Sequence, residues 1–332
     1  MKSRISRTRA AAAAVVALGA LGCSGGNGKG AAFRAIATEQ AGALLSAAYI
    51  GDGSAIIAGG AIGGGDALLM RWDGRAFSTI ATPNVHALWW VHAVESHAYV
   101  AGEGGGVHRL EGATLTAIDT GAPATATLFG IWGTGDDDLW AVGGSFSSAG
   151  AKRVIRRLTG GQWVAVDSPA DVPAETTYFK VWGTAPDNVW IVGDAGVVLH
   201  WDGTALVRDA RVAGAERFLT VHGCDAQNVW IVGGTVAAEL RAFDGQTWRS
   251  VAAKGAEPLS GVACRGGDII IAGAFAYAAR VAGGMTTILQ TPTEVGDLII
   301  HGVARSASHT LLVGGDLLAT GGTPFRGFIL EQ

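Results

Sequence analysis

The chain has 332 residues, of which 52 are Gly, 49% are hydrophobic and 16% are charged. So much Gly excludes a coiled coil or any long-helix architecture, because each Gly inside a helix costs about 1 kcal/mol relative to Ala. So little charge on so apolar a chain excludes intrinsic disorder, and a turn-rich β protein remains.

In chain order, the first segment carries Lys2, Arg4, Arg7 and Arg9 with no acid, followed by the apolar run Ala10–Leu21. That run is shorter than the about 20 residues a bilayer span requires, so residues 1–22 are expected to be a secretory signal. It ends Leu18-Gly19-Ala20-Leu21-Gly22-Cys23-Ser24, which resembles the bacterial lipoprotein signal. The resemblance implies that Cys23 is lipidated and becomes the mature N terminus, that the only membrane contact is this anchor, and, from Ser24, that the protein sits at the outer membrane or cell surface. The sequence departs from the usual pattern in having Ala20 and Leu21 where Leu and a small residue are customary. An ordinary signal cut near Ala20, with Cys23 a spare thiol, is the competing reading. Residues 23–31, rich in Gly, read as a flexible tether. Loss of residues 1–22 lowers Lys plus Arg from 24 to 20 against 28 acids, leaving a net charge of about −8. A chain so poor in cations does not suit nucleic acid, which demands clustered Lys and Arg.

From residue 32 onward an apolar run ending in Gly recurs seven times, at Gly59, Gly102, Gly143, Gly193, Gly233, Gly273 and Gly314. Three residues before each stands a large apolar residue: Ile56, Tyr99, Trp140, Trp190, Trp230, Ile270 or Leu311. The spacings of 43, 41, 50, 40, 40 and 41 match propeller blades. Each copy has an apolar strand, a polar turn, a second strand such as Val229–Val232, a third strand, a tight turn and a fourth strand. The tight turns, Asp73-Gly74, Glu111-Gly112, Gly160-Gly161, Asp202-Gly203, Asp244-Gly245 and Gly283-Gly284, are expected to be two-residue hairpins. Continuous apolar runs without alternation indicate strands covered on both faces. After Gly314 one strand fits, Phe325–Glu331, so the last blade lacks one. Ala32–Thr38 is a strand with no sheet of its own, and pairing it there would close the ring and protect an open edge. The expected fold is therefore all-β, a seven-bladed β-propeller over residues 32–332 with the N-terminal strand closing the last blade.

The copies Ile131-Trp132-Gly133-Thr134-Gly135-Asp136-Asp137-Asp138-Leu139-Trp140-Ala141-Val142-Gly143 and Val181-Trp182-Gly183-Thr184-Ala185-Pro186-Asp187-Asn188-Val189-Trp190-Ile191-Val192-Gly193 resemble the repeats of propeller lipoproteins of bacterial surfaces. More distantly they are similar to Asp-box propellers and to the photosystem II assembly-factor type. The resemblance speaks for fold and little for activity; the run Phe243-Asp244-Gly245-Gln246-Thr247-Trp248 keeps only the turn and the aromatic of an Asp-box.

Most Trp residues occupy recurring slots and read as packing between blades. Trp89-Trp90, entering blade two, cannot both point the same way along a regular strand, so one is expected to reach solvent or the central channel. The His residues show no metal-ligand spacing; His222 takes the slot of Trp132 and Trp182, and Asp136-Asp137-Asp138 reads as a turn rather than a calcium loop. No metal or cofactor is expected. Cys224 and Cys264 occupy matching places in adjacent blades, which leaves two buried free thiols, the preferred reading, or a disulfide. The connections of most variable length share one face of a propeller, and irregular loops on a rigid scaffold carry binding. Phe146, Lys152, Asp171, Glu175 and Arg326 are the candidates there, with neutral drift of surface loops as the bland alternative. The function expected is a non-enzymatic, lipid-anchored binding or scaffold module for a protein or glycan of the cell envelope. The alternative is an exported hydrolase or lyase at the channel mouth, which needs acids and His converging within about 5–9.5 Å.

Overall fold

The computed structural model describes residues 32–212, 217–317 and 325–332. The expected signal over 1–22, the attachment position Cys23 and the tether over 23–31 lie outside the described residues. Twenty-eight strands form seven four-stranded antiparallel sheets. The innermost strands of blades one to seven are Ala43–Tyr49, Leu88–Val94, Thr127–Gly135, Tyr178–Ala185, Phe218–Asp225, Leu259–Arg265 and Ile299–Arg305. The second strands, Ala55–Gly60, His97–Gly102, Asp138–Gly144, Asn188–Gly193, Asn228–Gly233, Asp268–Gly273 and Thr310–Gly315, each contain one of the seven closing glycines. They are buried almost throughout. Sheets packed face to face leave these strands no wet side, which is why they read as apolar runs.

The ring closes as the repeat count requires. Arg34–Gln40 pairs antiparallel with Gly327–Glu331 as the outer strand of blade seven, Arg34 opposite Glu331 and Gln40 opposite Gly327. The two facing side chains of that first pair form an ion pair. Phe33, just ahead of the strand, is buried with Leu289, Leu298 and Phe328, and its N–H donates to the Gln290 carbonyl at 2.9 Å. The closing segment thus joins blade seven through its ladder and blade six through its first aromatic.

Between blades, the Trp-Gly dipeptides work as a pair. An added Cβ at Gly183 would stand 2.7 Å from the Trp132 ring of the preceding blade, and one at Gly223 would stand 2.5 Å from Trp182. The indole of one blade therefore lies where only Gly of the next leaves room. His222 sits opposite Trp230 as Trp182 sits opposite Trp190, and His92 takes the same slot opposite Tyr99. Arg157 is sandwiched between Trp140 and Trp201, 4.7 and 4.8 Å from their centroids. Asp136 does more than turn the chain: it accepts hydrogen bonds from Tyr99 Oη at 2.9 Å and from His97 Nε2 at 2.7 Å, stitching blade three to blade two.

Two expectations change. The turns at Asp73, Asp202 and Asp244 span four residues rather than two, because each carboxylate accepts the N–H groups two and three positions on. These bonds hold all three carboxyls below the usual range. Gly160-Gly161 and Gly283-Gly284 are the two-residue connections expected, whereas in blade two Glu111 still pairs with Thr114 and the two-residue turn is Gly112-Ala113. Of the two readings for Cys224 and Cys264, the structure takes the disulfide, with Cα atoms 5.1 Å apart, inside the usual 4.4–6.8 Å range. It joins the inner strands of blades five and six.

Candidate binding cavity at the channel mouth

Every inner strand carries a register shift at the same level of its blade, where one residue is inserted without a partner on the second strand. The inserted residues are Leu45, Trp89, Phe129, Phe179, Leu219, Ser260 and His301. A β-bulge re-aims the side chain it inserts. Here all seven line one cavity of 190 Å³, on the face where second-to-third-strand and inter-blade connections emerge. Phe146 and Leu317 from the variable connections and Arg217 from the segment entering blade five complete its rim.

The aromatic half is a connected set of rings, one contact edge to face, two tilted and one stacked. Trp89 meets Phe129 at 4.8 Å and 84°, Phe129 meets Phe179 at 5.5 Å, and Phe146 lies over both at 5.4 and 5.9 Å. Phe129 and Phe179 are buried, whereas Phe146 is 61% exposed, so the stack runs from core to solvent. Two cations face it. Arg217 lies 5.7 and 5.3 Å from the Phe146 and Phe179 rings, held by a 2.7 Å hydrogen bond from Nε to Asp194. Lys180, the residue after the bulge in blade four, donates from Nζ to the Phe129 carbonyl at 2.7 Å and lies 4.3 Å from the Trp90 ring. Burial drives its ammonium down to about 7 because a desolvated charge is disfavoured. His301 is held down to about 4 chiefly by burial, and its Nε2 lies 3.0 Å from the Gly315 carbonyl.

In the wall of this cavity, polar side chains tie neighbouring inner strands together: Thr220 Oγ1 donates to Ser260 O and Ser260 Oγ to Ile300 O, each at 2.5 Å. A second cavity of 230 Å³ opens further along the channel, lined by Trp90, His92, Trp132, Trp182, His222 and Cys264 among others. Burial pushes His92 and His222 down to about 4, and the Cys264 N–H donates to His222 Nδ1 at 3.2 Å. Trp89 and Trp90 thus both face the channel, one in each cavity, because the bulge cancels the alternation that would have separated them. Among the described residues no carboxylate lines either cavity, and no three metal-ligating side chains form a cluster.

Of the five candidates read from the loops, the structure brings only Phe146 to the cavity. Lys152 donates to the Ser145 carbonyl of its own loop. Asp171 takes part through its backbone carbonyl, which accepts from Arg208 at 2.9 Å. Arg326 is held between Asp297 and Asp316, at 2.7 and 3.1 Å. Glu175 is exposed in the connection entering blade four. Of the seven bulge residues only Trp89 was singled out from sequence, as half of the Trp89-Trp90 pair; the other six, Lys180 and Arg217 were not, although each bulge residue follows directly on a large apolar one.

No protein-family model matches the chain, and no curated protein matches it. Among solved structures it is similar to YCF48 bound to D1 peptide, with TM-score 0.64 and 13% identity over 90% of this chain and 97% of that one. It is also similar to YCF48 from Cyanidioschyzon merolae, with TM-score 0.63 and 15% identity over 90% and 99%. The RRP9 WD40 repeats give TM-score 0.65 at 10% identity over 91% and 98%. All are likenesses of fold, and they agree with the propeller architecture.

Proposed function

We propose that this chain is an exported, lipid-anchored propeller that binds a protein partner at the aromatic mouth of its channel and carries out no catalysis. The observation that carries the reading is the sevenfold bulge. One residue from each blade is released from its ladder and turned to a single cavity, and the resulting wall is aromatic and aliphatic with two cations. The hydrolase or lyase alternative needs convergent carboxylates, and the described residues that line this mouth supply none. An apolar, concave site with a few placed polar groups suits recognition, and the similar YCF48 structure was solved with a D1 peptide. Cys23 holds the propeller at the membrane, where an acyl chain contributes about 0.8 kcal/mol per buried methylene.

Cross-linking in envelope extracts tests the binding site. Wild type captures a discrete protein and Phe146→Asp, which changes only an exposed ring, loses it; undiminished capture by the variant, or capture of glycan alone on an array, refutes the reading. Palmitate labelling that vanishes in Cys23→Ala supports the anchor, and equal release of both forms into the medium refutes it.

A further inference from the structure

Resting on that reading, we infer that the cavity takes the C-terminal residue of a peptide, its aromatic or large aliphatic side chain against the phenyl and indole rings and its carboxylate on Lys180. The first argument is size. A cavity of 190 Å³ holds about one large side chain, and within a peptide partner only the C-terminal residue carries an apolar side chain and a carboxylate on one carbon. The second is charge: among the described residues the lining holds Lys180 and Arg217 and no acid, and Arg217 already has Asp194 as its partner.

The third argument concerns donors without acceptors. Lys180 Nζ has three N–H donors but one acceptor among the described residues, the Phe129 carbonyl. Trp89 lines the same cavity, and its buried Nε1 has no acceptor among the described residues. Buried donors are rarely left so, and a carboxylate has lone pairs for both.

Binding would be coupled to a proton. The free Lys180 amine is largely neutral above pH 7, and a bound carboxylate favours the ammonium, so affinity falls as pH rises from 6 to 9. The charged and titratable groups facing it do not change over that range in a way that mimics this. Arg217 is ion-paired with Asp194, and His301, with Asp316 beyond it, is neutral well above its depressed pKa.

Calorimetry with N-acetyl-phenylalanine and N-acetyl-phenylalaninamide separates the terms. At pH 6.5 the acid is expected to bind at least about tenfold more tightly than the amide, the worth of a charge-assisted hydrogen bond. At pH 8, runs in buffers of different ionisation heat should show about half a proton taken up per acid bound for a tenfold preference, and more for a larger one. Lys180→Met should abolish both the discrimination and the proton uptake. Trp89→Phe, which keeps a ring and removes the N–H, should weaken the acid severalfold and leave the amide unchanged. Equal affinity for acid and amide overturns the carboxylate assignment. Absence of binding by both overturns the inference altogether, and capture of an envelope protein that still depends on Phe146 would show the binding reading intact.

Discussion

Closure of the ring by the N-terminal segment can be tested at a single side chain. Phe33 lies outside the strand it precedes, yet it is 4% exposed and packs among Leu289, Leu298 and Phe328. Truncating a Phe so placed to Ala costs about 3–5 kcal/mol through lost transfer energy and the cavity left behind. Unfolding entropy is about 2.1 cal/mol/K per residue, so a domain of roughly 300 residues has about 0.6 kcal/mol/K in all, and Phe33→Ala should lower Tm by about 5–8 °C. Phe146→Ala removes the same atoms from a ring that is 61% exposed and should shift Tm by less than about 1 °C. Differential scanning calorimetry of both variants decides the matter. Equal shifts, or a Phe33→Ala shift near 1 °C, would show that the segment does not hold the ring shut.

Gly223→Ala places a methyl 2.5 Å from the Trp182 ring, and overpacking of that kind should cost about 1–3 kcal/mol, read as a lower urea midpoint; an unchanged midpoint would mean the indole can retreat. His92, His222 and His301 are held neutral by burial, with pKa values lowered to about 4 against about 6.5 in the unfolded chain. Between those values the unfolded state binds more protons, so stability present above pH 6.5 is lost as pH falls toward 4. A flat Tm profile over that window in wild type, or one that His222→Gln leaves equally steep, would contradict the burial argument. The Cys224–Cys264 link closes a separation of 40 residues, and its reduction should cost about 3–4 kcal/mol. Thermal melts with and without reductant measure it, with Cys264→Ala as the form that reductant should no longer affect.

The ring was legible because every blade needs the same large residue facing a neighbour, three positions before a Gly where strands come close. Tyr99, Trp140 and Ile270 differ in chemistry but meet one packing demand, so the period survives where the motif does not. Even the closing strand followed from a count of strands. The cavity was not legible. Tyr178-Phe179 and Phe218-Leu219 lie in strands buried or half-buried over most of their length, and with both faces of a strand covered there is no polar alternation whose phase could reveal an inserted residue. Lys152 and Arg326 drew notice as charges on variable loops, yet their own loops and blades already neutralise or bond them. Lys180 was hidden by an opposite effect, since its place in an apolar strand depends on a carbonyl of the preceding blade that sequence spacing does not bring into view.

The recurring bulge has an evolutionary consequence. Its seven inserted side chains lie off the hydrogen-bonded ladder, so what they are and what the ring needs are separate questions. Trp, Phe, Leu, Ser and His already share the position within one molecule. A socket assembled this way can be rewritten one sector at a time, seven letters around a fixed frame, and relatives with the same architecture can diverge completely in what they hold while their scaffolds remain superimposable.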